Sequence, residues 1–380
     1  MTDTTATDSP ATDSTSPRQP EPPLAILLEL THRCPLRCAY CSNPLTLTPA
    51  SQELDTAGWR EVLRQAADMG MLQVHFSGGE PMARSDLTEL VAYASELGLY
   101  SNLITSGVLL DAPRLAALQQ AGLNHVQLSF QGLEDTQADR LSGFRGGVAK
   151  KQAALALVQQ SGLALTLNFV ITRSNAHELD AMLHYADQHG IARVEVANTQ
   201  YYGWGLQNRS ALIPSEAQLD AMTATVTQWR EHTRGRMVID YVIPDYYARR
   251  PKACMGGWAQ RFLNVMPDGT LLPCHAAQTL AHLQFPRVPH STLAAAWYDS
   301  PAFAAYRGTS WMPEPCGGCE HKERDFGGCR CQALALAGSA DTLDPVCERS
   351  PQHEHVVTLA RREAQLGEQP YTLRSFSFTA

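Results

Sequence analysis

The sequence predicts an α/β fold built on a parallel sheet, followed by a smaller cysteine-rich domain. Three observations carry this. Six short apolar runs recur between residue 24 and about residue 200. Segments bearing a helix cap or a closing glycine separate them. After about residue 245 the periodic helices fade, and Gly, Pro and Cys become dense. Strands alternating with helices imply parallel pairing through helical crossovers. A small, loop-rich region full of thiols implies a core held together by metal.

The elements follow in order. Residues 24–30 (LAILLEL) suit a buried strand. Asp55 or Thr56 caps a helix running to Met69, Gly70 stops it, and the apolar stretch 72–76 follows. Asp86 caps the next helix, Gly98 ends it, and strand 99–104 follows. Pro113 suits the first turn of a third helix, Gly122 ends it, and strand 126–130 follows. Gly162 precedes strand 163–171, and Gly190 precedes strand 191–197. Each glycine reads as the left-handed residue just past a helix end. The runs look continuous enough to be buried on both faces. A barrel and an open doubly wound sheet both fit, and six units fall short of the eight that close a full barrel. In either case chemistry belongs at the C-terminal ends of the strands. The expected division is a tail at 1–23, a core at 24–245, a cysteine-rich domain at 246–366 and a C-terminal tail at 367–380, with the core boundary within 244–251. Residues 1–23 are polar and rich in Thr, Ser and Pro, which predicts disorder.

Composition narrows the function. The chain has 380 residues, 44% of them hydrophobic, enough to bury a substantial core. No run of eighteen apolar residues occurs, so no membrane span is expected. The first residues lack the basic end and apolar stretch of a signal peptide, so a cytoplasmic location is expected. A net charge of −8 argues against nucleic acid as the main partner. Of ten cysteines, three lie within 34–41 and seven within 254–347. Clustered thiols in a chain without a secretion signal point to metal binding rather than disulfides.

The first cluster, Cys34-x3-Cys38-x2-Cys41, directly follows the first strand. Three close thiolates can ligate three irons of a four-iron cubane and leave the fourth iron open to a small bidentate ligand. Half a zinc site is the alternative reading. With Tyr40 just before the last cysteine, the motif resembles the signature of the radical S-adenosylmethionine (SAM) superfamily. Ser77-Gly78-Gly79-Glu80-Pro81 ends the second strand and is similar to that family's GGEP segment, which holds the amino group of SAM. Paired glycines allow close backbone approach, and Glu80 can accept from an ammonium group. The resemblance implies a partial (β/α)6 TIM-like barrel, a [4Fe-4S] cluster and bound SAM. It further implies that Thr105, Ser129, Asn168 and Arg173 touch the ribose, carboxylate or adenine, although each equally suits a turn or a buried brace. His32 reads as a neighbour of the cluster ligands, and His75 as a packed strand residue.

The second group runs Cys254, Gly269-x4-Cys274, Cys316-x2-Cys319, Asp325, Cys329, Cys331, Cys347. Structural zinc is one reading of Cys-x2-Cys. The layout resembles the SPASM domain of peptide-modifying radical SAM enzymes, with Asp325 standing where cysteine is usual and Cys331 as an extra thiol. A carboxylate is a harder iron donor than a thiolate. Both departures, with PLRCAYCSNP at 35–44 and QYYGWGLQNR at 200–209, resemble the branch of that family that works in pyrroloquinoline quinone (PQQ) biosynthesis. That resemblance implies an auxiliary [2Fe-2S] cluster on Cys254, Cys274, Cys329 and Cys331, and an auxiliary [4Fe-4S] cluster on Cys316, Cys319, Asp325 and Cys347. It implies a precursor-peptide substrate, PqqA, a peptide chaperone, PqqD, and a flavodoxin-like electron donor. The reaction it implies joins a glutamate γ-carbon to a tyrosine ring. Tyr201, Tyr202 and Asn208 follow the sixth strand at the expected mouth of the site, as peptide-channel candidates, and Trp204 reads as interdomain packing. Another SPASM peptide maturase, a sulfatase-activating enzyme and a zinc-bound scaffold remain as rivals.

Overall fold

A computed structural model describes residues 19–375. The expected disorder of 1–18 and the tail residues 376–380 lie outside the described residues. Nine strands form one sheet: β1 (Ala25–Glu29), β2 (Gln73–Ser77), β3 (Tyr100–Thr105), β4 (His125–Phe130), β5 (Ala164–Ile171), β6 (Arg193–Asn198), β7 (Val238–Val242), β8 (Phe262–Val265) and β9 (Leu271–Leu272). Their order is β7-β6-β5-β4-β3-β2-β1-β8-β9. Strands β1 to β7 therefore lie side by side in chain order, with no reversal. A doubly wound sheet requires a reversal, so this is a half-barrel wound in one direction. The six expected strands are all present and parallel. The structure adds two more parallel strands: β7 on β6, and β8 on the free side of β1. Strand β8 comes from the cysteine-rich half of the chain, which is thus stitched into the sheet of the core.

The crossovers follow local chemistry. Helix α1 (Thr56–Asp68) begins at Asp55, whose carboxylate accepts from the N–H of Gly58 at 2.8 Å. Helix α2 (Leu87–Glu96) lacks the expected cap from Asp86. Arg84 and Thr56 take that carboxylate instead, at 2.7–2.8 Å, tying the two helix starts together. Helices α3 (Ala112–Gln120), α4 (Asp135–Ser142), α5 (Gly147–Ser161) and α6 (Leu179–Gln188) complete the ring. The five predicted stops, Gly70, Gly98, Gly122, Gly162 and Gly190, all take φ between +64° and +92°.

The strands are not buried alike on both faces. In β1, β2, β4 and β6 buried and half-buried residues alternate. One face packs Ile26, Val74, Phe76, Val126, Leu128, Val194 and Val196 under the helices. The other face is polar and turns inward. Its key rung runs Ser129, Asn168, Glu195, Asp240 across four neighbouring strands. The expected both-sided burial is corrected accordingly: this half-barrel keeps a polar inner face.

Both expected tails also need correction where they are described. The carbonyl of Glu21 accepts from the indole of Trp297 at 2.9 Å. Residues near 371–374 pack back onto the core, with Arg374 only 1% exposed.

Candidate functional site

The loop after β1 carries Cys34, Cys38 and Cys41 and is braced from several sides. The N–H groups of Gly79 and Glu80 donate to the carbonyls of Thr31 and Arg33 at 2.6 and 2.8 Å. The N–H groups of Arg37 and Ala39 donate to Ser142 and Leu141 at the end of α4. His32 is buried; its Nδ1 accepts from the N–H of Thr48 at 2.8 Å, and its Nε2 lies 3.4 Å from Glu29. Close approach explains the glycine pair. A Cβ on Gly79 would stand 2.6 Å from the carbonyl oxygen of Arg33, and one on Gly78, at φ +134°, 2.4 Å from that of Thr31.

The three thiols open into a cavity of about 400 Å³ at the C-terminal ends of the strands. Tyr40, Gly78, Gly79, Thr105, Ser106, Ser129, Asn168, Glu195 and Arg374 share its wall. All ten cysteines are free. Burial pushes the thiols of Cys34, Cys38 and Cys41 up, Cys41 to about 11. Three half-buried thiols that resist ionising alone are a donor set suited to iron, which ligates them as thiolates. The side-chain oxygens of Asn168 and Thr199 line the same cavity and are buried without a partner, as expected of groups that meet a polar ligand. The residues present therefore fit a cubane with SAM.

Not every predicted contact reaches this cavity. Glu80 is fully buried behind it. Its carboxylate accepts from Thr105 Oγ1 at 2.6 Å, Ser106 N at 2.9 Å, Ser106 Oγ at 2.5 Å and Met82 N at 3.2 Å. In these contacts it braces the end of β3. Arg173 lies elsewhere, donating to the carbonyls of Glu363, Ala364 and Leu366 at 3.0–3.3 Å. It caps the C-terminus of helix His353–Ala364, where a cation is favoured. Asn208 lines neither cavity; it is buried and joins Ala39 to Thr372.

A second cavity, about 470 Å³, adjoins the first. Cys254, Cys274, Cys329 and Cys331 line one part of it, and Tyr201, Tyr202, Leu206 and Val242 another. The ionisation of these thiols is mutually dependent, Cys254 and Cys331 each against Cys274 and Cys329. This drives the first two up and the other two down. Cys316, Cys319, Asp325 and Cys347 gather around a third, small cavity with Asp344 and Arg349. Arg349 donates to the sulfur of Cys319 at 3.2 Å. Among the described residues no three His, Cys, Asp or Glu side chains meet as a single-ion site. Ligands of a bridged cluster bind different irons and need no such meeting point.

Four residues near these sites escaped the sequence reading. His275 packs against Tyr202 at a tilt in the wall between the two larger cavities. Buried Lys151 donates to the carbonyl of Ser129 at 2.7 Å and to Gln131 Oε1 at 2.5 Å, and burial brings it down to about 8. Asp344 accepts from the N–H of Cys329 at 2.7 Å while lining the outer thiol site. Arg374 was assigned to a tail. Lys151 sits in a Lys-Lys pair on a helix, which reads as a solvated face, and the other three have no local motif.

A half-barrel with a three-thiol cavity at its strand ends defines a radical SAM enzyme, and residues 28–186 match the radical SAM superfamily. The fold resembles Streptococcus suis SuiB bound to S-adenosylmethionine (TM-score 0.68, 21% identity, 86% of this chain and 75% of that one). It also resembles anSMEcpe with bound AdoMet (TM-score 0.62, 16% identity, 90% and 96%). In sequence the chain is 59% identical over 343 residues to a PqqA peptide cyclase of Xanthomonas campestris pv. campestris, spanning 90% of this chain and 91% of the relative. It is 58% identical over 337 residues to one from Gluconobacter oxydans, spanning 89% and 94%. The chain belongs to the PqqA peptide cyclase family.

Proposed function

We infer that this chain is a radical SAM peptide cyclase of PQQ biosynthesis, joining a glutamate γ-carbon to a tyrosine ring within the precursor peptide PqqA. The observation that carries this is the pair of adjoining thiol-lined cavities, in a chain so similar to PqqA peptide cyclases over nearly its full length. Cys34, Cys38 and Cys41 would hold a four-iron cluster, which would supply the electron for cleavage of SAM and so a hydrogen-abstracting radical.

The protein's own part is binding, orientation and exclusion of water. Gly78 and Gly79 let backbone approach the ligand closely. Glu80 holds Thr105 and Ser106 in place at the cavity wall, and Ser129 and Asn168 offer polar contacts from the inner rung. Crosslinking removes one hydrogen from the γ-carbon and one from the ring, the latter as a proton and an electron. That electron needs a nearby acceptor, which gives the second cavity its role. There Cys254, Cys274, Cys329 and Cys331 hold a [2Fe-2S] cluster in this reading, and Cys316, Cys319, Asp325 and Cys347 an outer [4Fe-4S] cluster. The core at 24–245 and the SPASM portion at 246–366 work as a unit. PqqD presents the peptide and a flavodoxin-like protein donates electrons, in the cytoplasm. No helix among the described residues is long and apolar enough to cross a membrane.

The test is anaerobic incubation with SAM, reductant, PqqA and PqqD. A peptide lighter by two hydrogens and crosslinked between Glu and Tyr is expected, and a peptide of unchanged mass overturns the assignment. Iron and sulfide analysis separates a zinc scaffold from this enzyme, which holds about ten irons per chain by the cluster types assigned.

A further inference from the structure

The last described residues run back across the cysteine loop as a strap, pinned at several points. Asn208 brackets Thr372: its Nδ2 donates to the Thr372 carbonyl at 2.8 Å, and its Oδ1 accepts from the Thr372 N–H at 2.7 Å. The same Nδ2 donates to Ala39, between Cys38 and Cys41, at 2.8 Å. Arg37 Nε donates to the Arg374 carbonyl at 2.9 Å. Tyr371 bonds Ser174 at 3.2 Å and lies under the guanidinium of Arg140, 5.1 Å from the ring centre. Arg374 itself donates to the carbonyl of His32 and lines the cavity that the three thiols share.

The side chain that carries this guanidinium is 1% exposed, so its charge is screened little by solvent. Cys34, Cys38 and Cys41 line the same cavity. Of the other charged groups nearby, Glu195 in the same wall accepts from Gln127, and Glu29 accepts from Asn43 and Asn264. Lys151 does not line the cavity and is held by Ser129 and Gln131. Glu80 is saturated by Thr105, Ser106 and Met82. Arginine is always charged, so its effect does not depend on pH.

We propose that Arg374 is the resident cation of the iron–sulfur site and that the C-terminal strap delivers it there. The proposal rests on the reading of Cys34, Cys38 and Cys41 as cluster ligands. Reduction adds a negative charge to such a cluster, and a fixed cation beside it stabilises the reduced form. Arg374 is thus a positioning residue that makes the electron easier to load.

The test is a redox titration of the cluster, followed by electron paramagnetic resonance, in the anaerobically reconstituted full chain and its Arg374→Gln and Arg374→Lys variants. At a fixed potential the reduced-to-oxidised ratio in Arg374→Gln is expected to fall about tenfold, a shift of about 59 mV to the negative. Arg374→Lys, which keeps the charge, should stay within about twofold of wild type. Loss of iron in Arg374→Gln, with iron and potential both kept in Arg374→Lys, supports the proposal equally. Identical titrations in all three overturn it, as does a lysine variant that falls with the glutamine one. A wild-type chain lacking any such cluster overturns the reading beneath it as well.

Discussion

Tyr202 and His275 face each other ring to ring, centroids 4.8 Å apart and planes at 48°, in the wall shared by the two larger cavities. In the proposed mechanism, hydrogen abstraction belongs to one side of that wall and electron removal to the other. The pair joins the strand core to the cysteine-rich region, Tyr202 coming just after β6 and His275 beside Cys274. Aromatic pairs of this kind add about 0.5–1.5 kcal/mol beyond area burial. Tyr202→Ala is expected to loosen the placement of the two reacting side chains. The ratio of 5′-deoxyadenosine released to peptide crosslinked should rise about tenfold, since small misplacements are costly in such reactions. Tyr202→Phe keeps the ring and should stay near wild type. Quantifying both products by mass spectrometry checks this, and an unaltered ratio in the alanine variant removes the wall from the mechanism.

Gly79 offers a sharper test of the cysteine loop. A Cβ there would meet the carbonyl oxygens of Arg33 and His32 at 2.6 and 2.7 Å. Both are backbone atoms, so the loop itself must move, at a cost of about 1–3 kcal/mol. Because Cys34 directly follows Arg33, the damage falls on the first cluster. Gly79→Ala is expected to lose SAM affinity and part of its iron. Equilibrium dialysis with SAM and iron analysis measure both; full retention of both would show that the loop yields without cost.

The outer thiol site poses a choice between two carboxylates. Asp344 accepts from the N–H groups of Cys329 and Val346 and from Gln332, at 2.7–3.0 Å, and burial pushes it up to about 7. Its oxygens are committed. Asp325 accepts only from the N–H of Gly327, through Oδ1 at 3.0 Å, among the described residues. Its other oxygen suits iron. Asp325→Ala should lower the iron content from about ten towards about six per chain. Asp325→Cys should keep the iron and shift the potential of the outer cluster. Spectra unchanged in both variants would exclude Asp325 as a ligand.

What was legible in the sequence was local. The six apolar runs match β1 to β6 within one or two residues, and all but the first follow a glycine stop. The thiols and the glycine pair were legible because their spacing is short. Strand β8 was not, since its partner β1 lies more than two hundred residues away and no local pattern encodes that pairing. Arg374, His275 and Asp344 are single residues whose importance arises only when distant segments meet. Glu80, Arg173 and Asn208 differ in the opposite way, lining neither large cavity and bonding to neighbouring protein groups instead. A polar residue near a strand end can face a ligand or brace the backbone, and periodicity does not distinguish the two. The polar inner rung was visible in principle: Gln127 and Ser129 interrupt the fourth run at every second position, a period-two signal that the apolar residues around them concealed.

That rung supplies a prediction about stability and pH. Glu195 lies between Asn168 and Asp240 and accepts from Gln127 Nε2 at 3.0 Å. Burial raises its carboxyl above the usual range, and the neighbouring Asp240 adds to the effect. With the folded value above the unfolded one, the native state binds more protons than the unfolded state in the window between them. The free energy of unfolding therefore falls as pH rises through that window, and the cost persists at neutral pH. Glu195→Gln removes the charge and keeps a polar partner for Gln127. At pH 7.5 its Tm should exceed that of wild type by about 2 °C, the shift expected for a free-energy gain near 1 kcal/mol. The gap should close as the pH approaches the ordinary glutamate value of about 4.3, where the wild-type side chain is neutral in the fold. Thermal denaturation of both chains from pH 4.5 to 8 measures it. A gap of constant size across that range would assign the effect to packing rather than to the buried charge.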